Sequence, residues 1–287
     1  MRRILIQLDT DAHPSAFDRV VAVDAGVDEL FSYAGVTPND VESLVHGAIF
    51  TRGPADLKNT AIFIGGSDVA AGEALLERVN ATFFGPMRVS VMIDSNGSNT
   101  TAAAAVLRAS RHVEFSGLDA LVLAGTGPVG QRAAQLLAKR GANVRLASRS
   151  LERAESACAA IKAKVGSDAK LTARETSSSA TVEAASDGVA LIIAGGAAGV
   201  QLLADDQWPS GEALKVAIDL NAVPPVGLAG VEPMDKAVER HGTLCYGAIG
   251  VGGTKMKIHK AAIGRLFDSN DQILDTEAIY RIGEELD

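Results

Sequence analysis

The sequence predicts an α/β protein built as two α/β domains, and three observations carry that expectation. Short apolar runs alternate with longer amphipathic ones up to about residue 115, and the alternation starts again near Leu118. A glycine-rich turn, AGTGPVG, directly follows the apolar run that begins at Leu121 and opens an amphipathic run, the setting of a Rossmann-type dinucleotide site. Hydrophobic residues make up 47% of the chain and aromatic ones only 4%, so Gly, Ala and Val dominate, as suits closely apposed helices and strands.

In the first domain RILIQLD, ELFSYAG, TAIFIGG and RVSVMID read as strands, with PSAFDRVVAVDAG, TPNDVESLVHGAIF and DVAAGEALLERVNATFF as the helices between them. Thr37 is expected to cap the second helix and Pro38 to occupy its first turn. The run SNGSNTTAAAAVLRASRHV then enters a long helix through residues that suit an N-cap. The second domain continues as strand, glycine turn, helix and strand over residues 119–150, with Gly141 ending the helix. LERAESACAAIKAKVG (helix), KLTARE (strand), SATVEAASDG (helix), VALIIAGG (strand), a further helix and LKVAIDLN (strand) complete it. AIGVGGTK leads into two terminal helices, GTKMKIHKAAIGRLFDSN and DTEAIYRIGEELD, expected to cross a cleft and pack back on the first domain. The expected division is therefore 1–115 with 253–287, and 116–252.

A net charge of −8 and the scarcity of aromatic residues argue against nucleic acid as a partner. No run approaches the roughly 20 apolar residues of a membrane span, and acids interrupt MRRILIQLDTD too early for a signal peptide. A cytoplasmic protein without membrane attachment is expected. The two cysteines, Cys158 and Cys245, are expected to be reduced, and the five histidines show no metal-ligand spacing, so no metal is expected.

The glycine turn has specific physical requirements. Gly125 permits the tight turn, Gly127 lets the backbone approach a pyrophosphate, and Gly130 lets helix and strand pack closely. The stretch Thr126, Gly127, Pro128, Val129 then turns its free N–H groups to the phosphates, aided by the helix dipole. About twenty residues on, where an Asp or Glu would hold the ribose 2′-hydroxyl of NAD, stand Ser148, Arg149 and Ser150. An arginine flanked by hydroxyls offers charge and donors to a 2′-phosphate, which points to NADP. Arg153, one helical turn later, is placed for a second contact. Gly195, Gly196 and Asn221 follow later strands and are candidates to border the nicotinamide.

The segments QLDTDAHPSAFD, TAIFIGGSDVAAGE, FFGPMRVSVMIDSNGSNTTAAA, VLAGTGPVG and NAVPPVGLAGV with YGAIGVGGTKMKIH closely resemble the NADP-dependent methylene-tetrahydromethanopterin dehydrogenases of methylotrophic bacteria, which also accept methylene-tetrahydrofolate. The resemblance implies hydride transfer from the methylene carbon of a tetrahydromethanopterin or tetrahydrofolate carrier to NADP, giving a methenyl cation. Such chemistry needs no general base; it needs two rings positioned and a developing positive charge stabilised. Asp9, Asp11, Asp18 and Asp94, at strand ends, are the candidate carboxylates. Lys255 matches a lysine at the family's domain junction and is the preferred polar residue of the catalytic site. A homo-oligomer is expected.

Related enzymes that also open the methenyl ring use a Tyr-x-x-x-Lys set. Here Tyr33, Tyr246 and Tyr280 are followed four residues on by Thr37, Gly250 and Glu284, so dehydrogenase activity without cyclohydrolase activity is expected. Two alternatives are a non-catalytic NADPH sensor and a shikimate-dehydrogenase-like enzyme, which needs a Lys and Asp pair and finds only Lys58 in the first domain.

Overall fold

The computed structural model describes residues 1–209, 213–240 and 242–287. From the N-terminus the chain forms β1 (Ile4–Asp9), α1 (Ala16–Asp24), β2 (Glu29–Tyr33), α2 (Val41–Ile49), β3 (Thr60–Gly65), α3 (Val69–Thr82), β4 (Ser90–Ile93) and α4 (Ser98–Ser110). It continues through β5 (Asp119–Leu123), α5 (Pro128–Lys139), β6 (Asn143–Ser148), α6 (Leu151–Val165), β7 (Leu171–Glu175), α7 (Ser179–Ser186), β8 (Leu191–Ala194) and β9 (Val216–Asp219). The hairpin β10 (Lys236–Arg240) and β11 (Thr243–Tyr246) precedes α8 (Ala248–Arg265), β12 (Ile273–Leu274) and α9 (Thr276–Glu285). Two compact units result, one of residues 1–100 with 256–287 and one of 101–255.

The first unit holds a five-stranded parallel sheet in the order β12-β4-β3-β1-β2. Its central strand β3 is buried at every position, which is why TAIFIG reads as an unbroken apolar run rather than an alternating one. Leu8, Val45, Ile49, Ile62, Ile64, Leu75 and Val91 share one core cluster, each contributing about 1.5–3 kcal/mol through burial. The C-terminal segment joins this sheet because β12 pairs with β4, and Thr276 Oγ1 donates to Asn99 Oδ1 at 2.6 Å. Thr37 does not cap α2. Its N–H and hydroxyl both donate to Asp40 Oδ2, at 2.9 and 2.6 Å, so Asp40 closes the turn and the helix begins at Val41.

The second unit holds a seven-stranded sheet in the order β10-β11-β9-β8-β5-β6-β7, parallel except for the β10/β11 hairpin. Strand order reverses between β5 and β8, where an open α/β sheet makes its ligand crevice. Gly141 follows the C-cap of α5 with φ +86°, as its sequence position required. The helix expected between β8 and β9 does not form among the described residues, which carry only a short 3-10 turn at Asp205–Gln207. Gln207 Oε1 accepts from Ala204 N–H at 2.8 Å, and Pro209 keeps Trp208 before it out of the helical region (ψ 134°), so the turn ends at Gln207; residues 210–212 lie outside the described set. The units divide inside α4 and α8, so 101–115, expected with the first domain, fall in the second, as do 253–255.

Candidate functional site

The glycine turn is built by close approach. Ala124 follows β5 with φ +51°, and Gly125 N–H donates to Ala147 O at 2.8 Å, tying the turn to β6. A Cβ on Gly125 would lie 2.7 Å from Leu146 Cγ and 2.9 Å from Val122 O; one on Gly130 would lie 2.8 Å from Gly125 Cα. Neither position admits a larger residue without moving backbone. Gly127 is the N-cap of α5 and Pro128 its first residue, where the missing N–H costs nothing. Val129 follows in that first turn, so the end of α5 points its free donors at one place. Gly195, after β8, passes within 3.4 Å of Gly130 N when given a Cβ, so it walls the same turn.

Beside this turn lies a cavity of about 750 Å³, in the size range of cofactor sites. Thr126, Ser148, Arg149, Ser150 and Arg153 all line it, so five residues singled out from the sequence meet at one cavity. Gly196 lines it as well. Ser150 caps α6 by accepting from Arg153 N–H at 3.3 Å, which fixes where both side chains leave the backbone. Among the described residues neither Arg149 nor Arg153 is held in an ion pair, so both guanidinium groups are available to an anion. A further set of lining residues was not foreseen. Thr176 N–H donates to Ser148 O at 2.9 Å, which carries Thr176, Ser177, Ser178 and Ser179 to the same cavity. A hydroxyl-rich turn after the next strand was the available signal.

A dinucleotide fits this arrangement: the glycine cradle would be filled by any Cβ, and a cationic, hydroxyl-lined pocket stands beside it. Asn221 is placed otherwise. Its Nδ2 donates to Pro225 O at 3.1 Å and its Oδ1 accepts from Val223 N–H at 2.9 Å, so the side chain shapes its own loop. Asp219 anchors that loop by accepting from Asn221 and Leu228 N–H groups, and burial pushes its carboxyl above the usual range despite them.

The candidate carboxylates lie in the first unit and differ sharply. Asp9 is fully buried and accepts from Asp11 N–H (2.9 Å), Ser15 N–H (3.0 Å) and Gln7 Nε2 (3.2 Å). Asp94, also buried, accepts from the N–H groups of Asn99 (2.9 Å) and Thr100 (3.0 Å) and from Thr100 Oγ1 (2.6 Å). Both are engaged in holding the backbone that follows their strands. Asp11 clips two loops together, accepting from Ser67 N–H and Oγ. Asp18 sits in the first turn of α1 with 13% of its side chain exposed, 4.0 Å from His259 Nε2. Lys255 is half-buried on α8. Lys58 is exposed in the turn before β3, at the opposite end of that parallel strand from Asp9, so it forms no pair with these carboxylates.

No group of three or more His, Cys, Asp or Glu side chains among the described residues could hold a metal, and no described helix is long and apolar enough to cross a membrane. Both cysteines are free, buried thiols.

Residues 16–96 match the family model described as methylene-tetrahydromethanopterin dehydrogenase, N-terminal. Over 99% of both chains the protein is 44% identical to the bifunctional protein MdtA of Methylorubrum extorquens. It is 32% identical, again over 99% of both, to the NAD(P)-dependent methylenetetrahydromethanopterin dehydrogenase of that organism. Among solved structures, shikimate 5-dehydrogenase from Listeria monocytogenes is similar in fold at a TM-score of 0.56 and 13% identity, covering 100% of this chain and 96% of that one. The glycine cradle, the arginine-lined cavity and this full-length similarity together establish that the chain belongs to the methylene-tetrahydromethanopterin dehydrogenase family.

Proposed function

We propose that the chain oxidises the methylene carbon of methylene-tetrahydromethanopterin to the methenyl form with NADP, and that it also accepts methylene-tetrahydrofolate. The observation that carries this reading is the convergence of Ser148, Arg149, Ser150 and Arg153 on one cavity beside the glycine turn, in a chain of this family. NADP, when bound, supplies a nicotinamide that accepts two electrons and no separate proton. The N–H groups opening α5 would hold the pyrophosphate, and Arg149 with Ser148 and Ser150 would hold the 2′-phosphate. Gly195, packed against Gly130, and Gly196, packed against Leu202, would border the nicotinamide.

On the pterin side the chain positions a ring and faces a developing amidinium charge, so carboxylates help without exchanging a proton. Asp18, partly exposed and beside His259, is assigned that task; Lys255 orients the pterin, and Asp9, Asp11 and Asp94 act through the loops they hold. Without the Tyr-x-x-x-Lys set the methenyl ring is not hydrolysed. A cytoplasmic homo-oligomer completes the reading, supported by sequence composition alone.

Steady-state kinetics with both methylene carriers, each against NADP and NAD, test it. The expected result is NADP reduction with at least one carrier and no ring-opened product. Tight NADPH binding with no turnover of either carrier would support the sensor reading instead.

A further inference from the structure

His259 belongs to the part of α8 that lies in the first unit, and its side chain is 0% exposed. Burying an imidazole is costly unless its surroundings use its polarity. The ring stacks on Phe63 with centroids 5.8 Å apart and an interplanar angle of 21°, and it meets Phe17 at 6.2 Å. Its Nε2 stands 4.0 Å from Asp18 Oδ1. These groups come from three elements, since Phe17 and Asp18 open α1 and Phe63 lies in β3. Gly65 closes the corner: a Cβ there would lie 3.2 Å from Asp9 Oδ2 and 3.7 Å from Asp18 Oδ2. Two carboxylates and one imidazole therefore converge at the carboxyl ends of β1 and β3.

We infer that His259 is a positioning residue for hydride transfer, holding the Asp18 carboxylate in place with its own ring fixed by Phe63. The inference rests on the function proposed above. Asp9 is fully buried and accepts from N–H groups of its own loop, whereas 13% of the Asp18 side chain is exposed, so Asp18 is the carboxylate of this corner that a ligand can reach. A contact of 4.0 Å is electrostatic rather than a hydrogen bond, and such contacts tighten when the reacting complex forms. A carboxylate that must face a new cation gains from a neighbour that fixes its angle, because small misplacements cost up to about a hundredfold in rate.

The test is kinetic and uses the full-length enzyme with His259→Phe, Asp18→Asn and the double variant. Phenylalanine keeps the stacked ring and removes the nitrogens. The expected result is a kcat for the methylene carrier lowered by roughly ten- to a hundredfold, an unchanged KM for NADP, and a double variant no slower than Asp18→Asn alone. Should His259→Phe fail to fold, His259→Gln is read in the same cycle. Wild-type kcat in either folded His259 variant or in Asp18→Asn, or additive losses in the double variant, would overturn the inference. A wild-type enzyme that turns over neither carrier would instead retire the function on which it rests.

Discussion

Four aspartates of the first unit, read alike in the sequence as strand-end carboxylates, do different things. Asp9 and Asp94 each accept three hydrogen bonds in a buried setting, so each holds a loop open at a fixed width. Removing such a carboxylate leaves donors stranded away from water, at about 1–3 kcal/mol for each. Asp94→Ala is expected to lower unfolding free energy by about 3 kcal/mol or more in urea titrations, whereas Asp18→Asn should leave stability within about 0.5 kcal/mol. Gly227 supplies a second residue-scale case. A Cβ there would lie 2.7 Å from Asp219 Oδ1, so Gly227→Ala displaces a buried carboxylate and should destabilise the 221–228 loop, read as lost hydrogen-exchange protection at Leu228.

At the scale of elements, the turn between β5 and α5 is the least forgiving piece. Gly130→Ala forces a Cβ to within 2.8 Å of Gly125 Cα, and the helix can accommodate it only by lifting away from the turn. NADPH affinity, measured by fluorescence titration, is expected to fall at least about tenfold as the phosphate donors lose their shared aim. This turn and Ser148-Arg149-Ser150 were legible in the sequence because each needs a particular residue at a particular place. The buried parallel strands were legible for a related reason, since β3 and β8 are unbroken apolar runs. The hairpin strand β10 carried no such signal: four of its five positions are exposed, and neither face is apolar. Thr176 to Ser179 were missed because a serine run before a helix is ordinary capping chemistry, and Ser178 does cap α7. Only the sheet order, which sets β7 beside β6, brings those hydroxyls to the cavity. The aspartates were visible, but which of them had its oxygens occupied depended on loop geometry that no spacing encodes.

At the scale of the whole molecule, stability should carry a mild acid sensitivity. His112 Nε2 lies 2.6 Å from Tyr246 Oη, joining the segment after α4 to β11. Burial, and then the charges of Arg111 and Arg108, hold the imidazole below its ordinary value of 6.5. Above 6.5 it is neutral whether folded or unfolded and gives no slope. Below 6.5 the unfolded chain binds a proton that the folded chain resists, so stability falls with pH until the lowered folded value is passed. Urea midpoints of His112→Gln should be flatter than wild type in that window and parallel to it above. The proposed choice of nucleotide turns on Arg149 reading the 2′-phosphate from the lining of this cavity. The most direct measurement is the ratio of kcat/KM for NADP to that for NAD, with methylene-tetrahydromethanopterin as donor, in wild type and Arg149→Asp. The wild-type ratio is expected to lie well above one and to fall about a hundredfold or more in the variant, equivalent to about 3 kcal/mol of lost and reversed charge interaction. A ratio left unchanged by the substitution would contradict that role for Arg149.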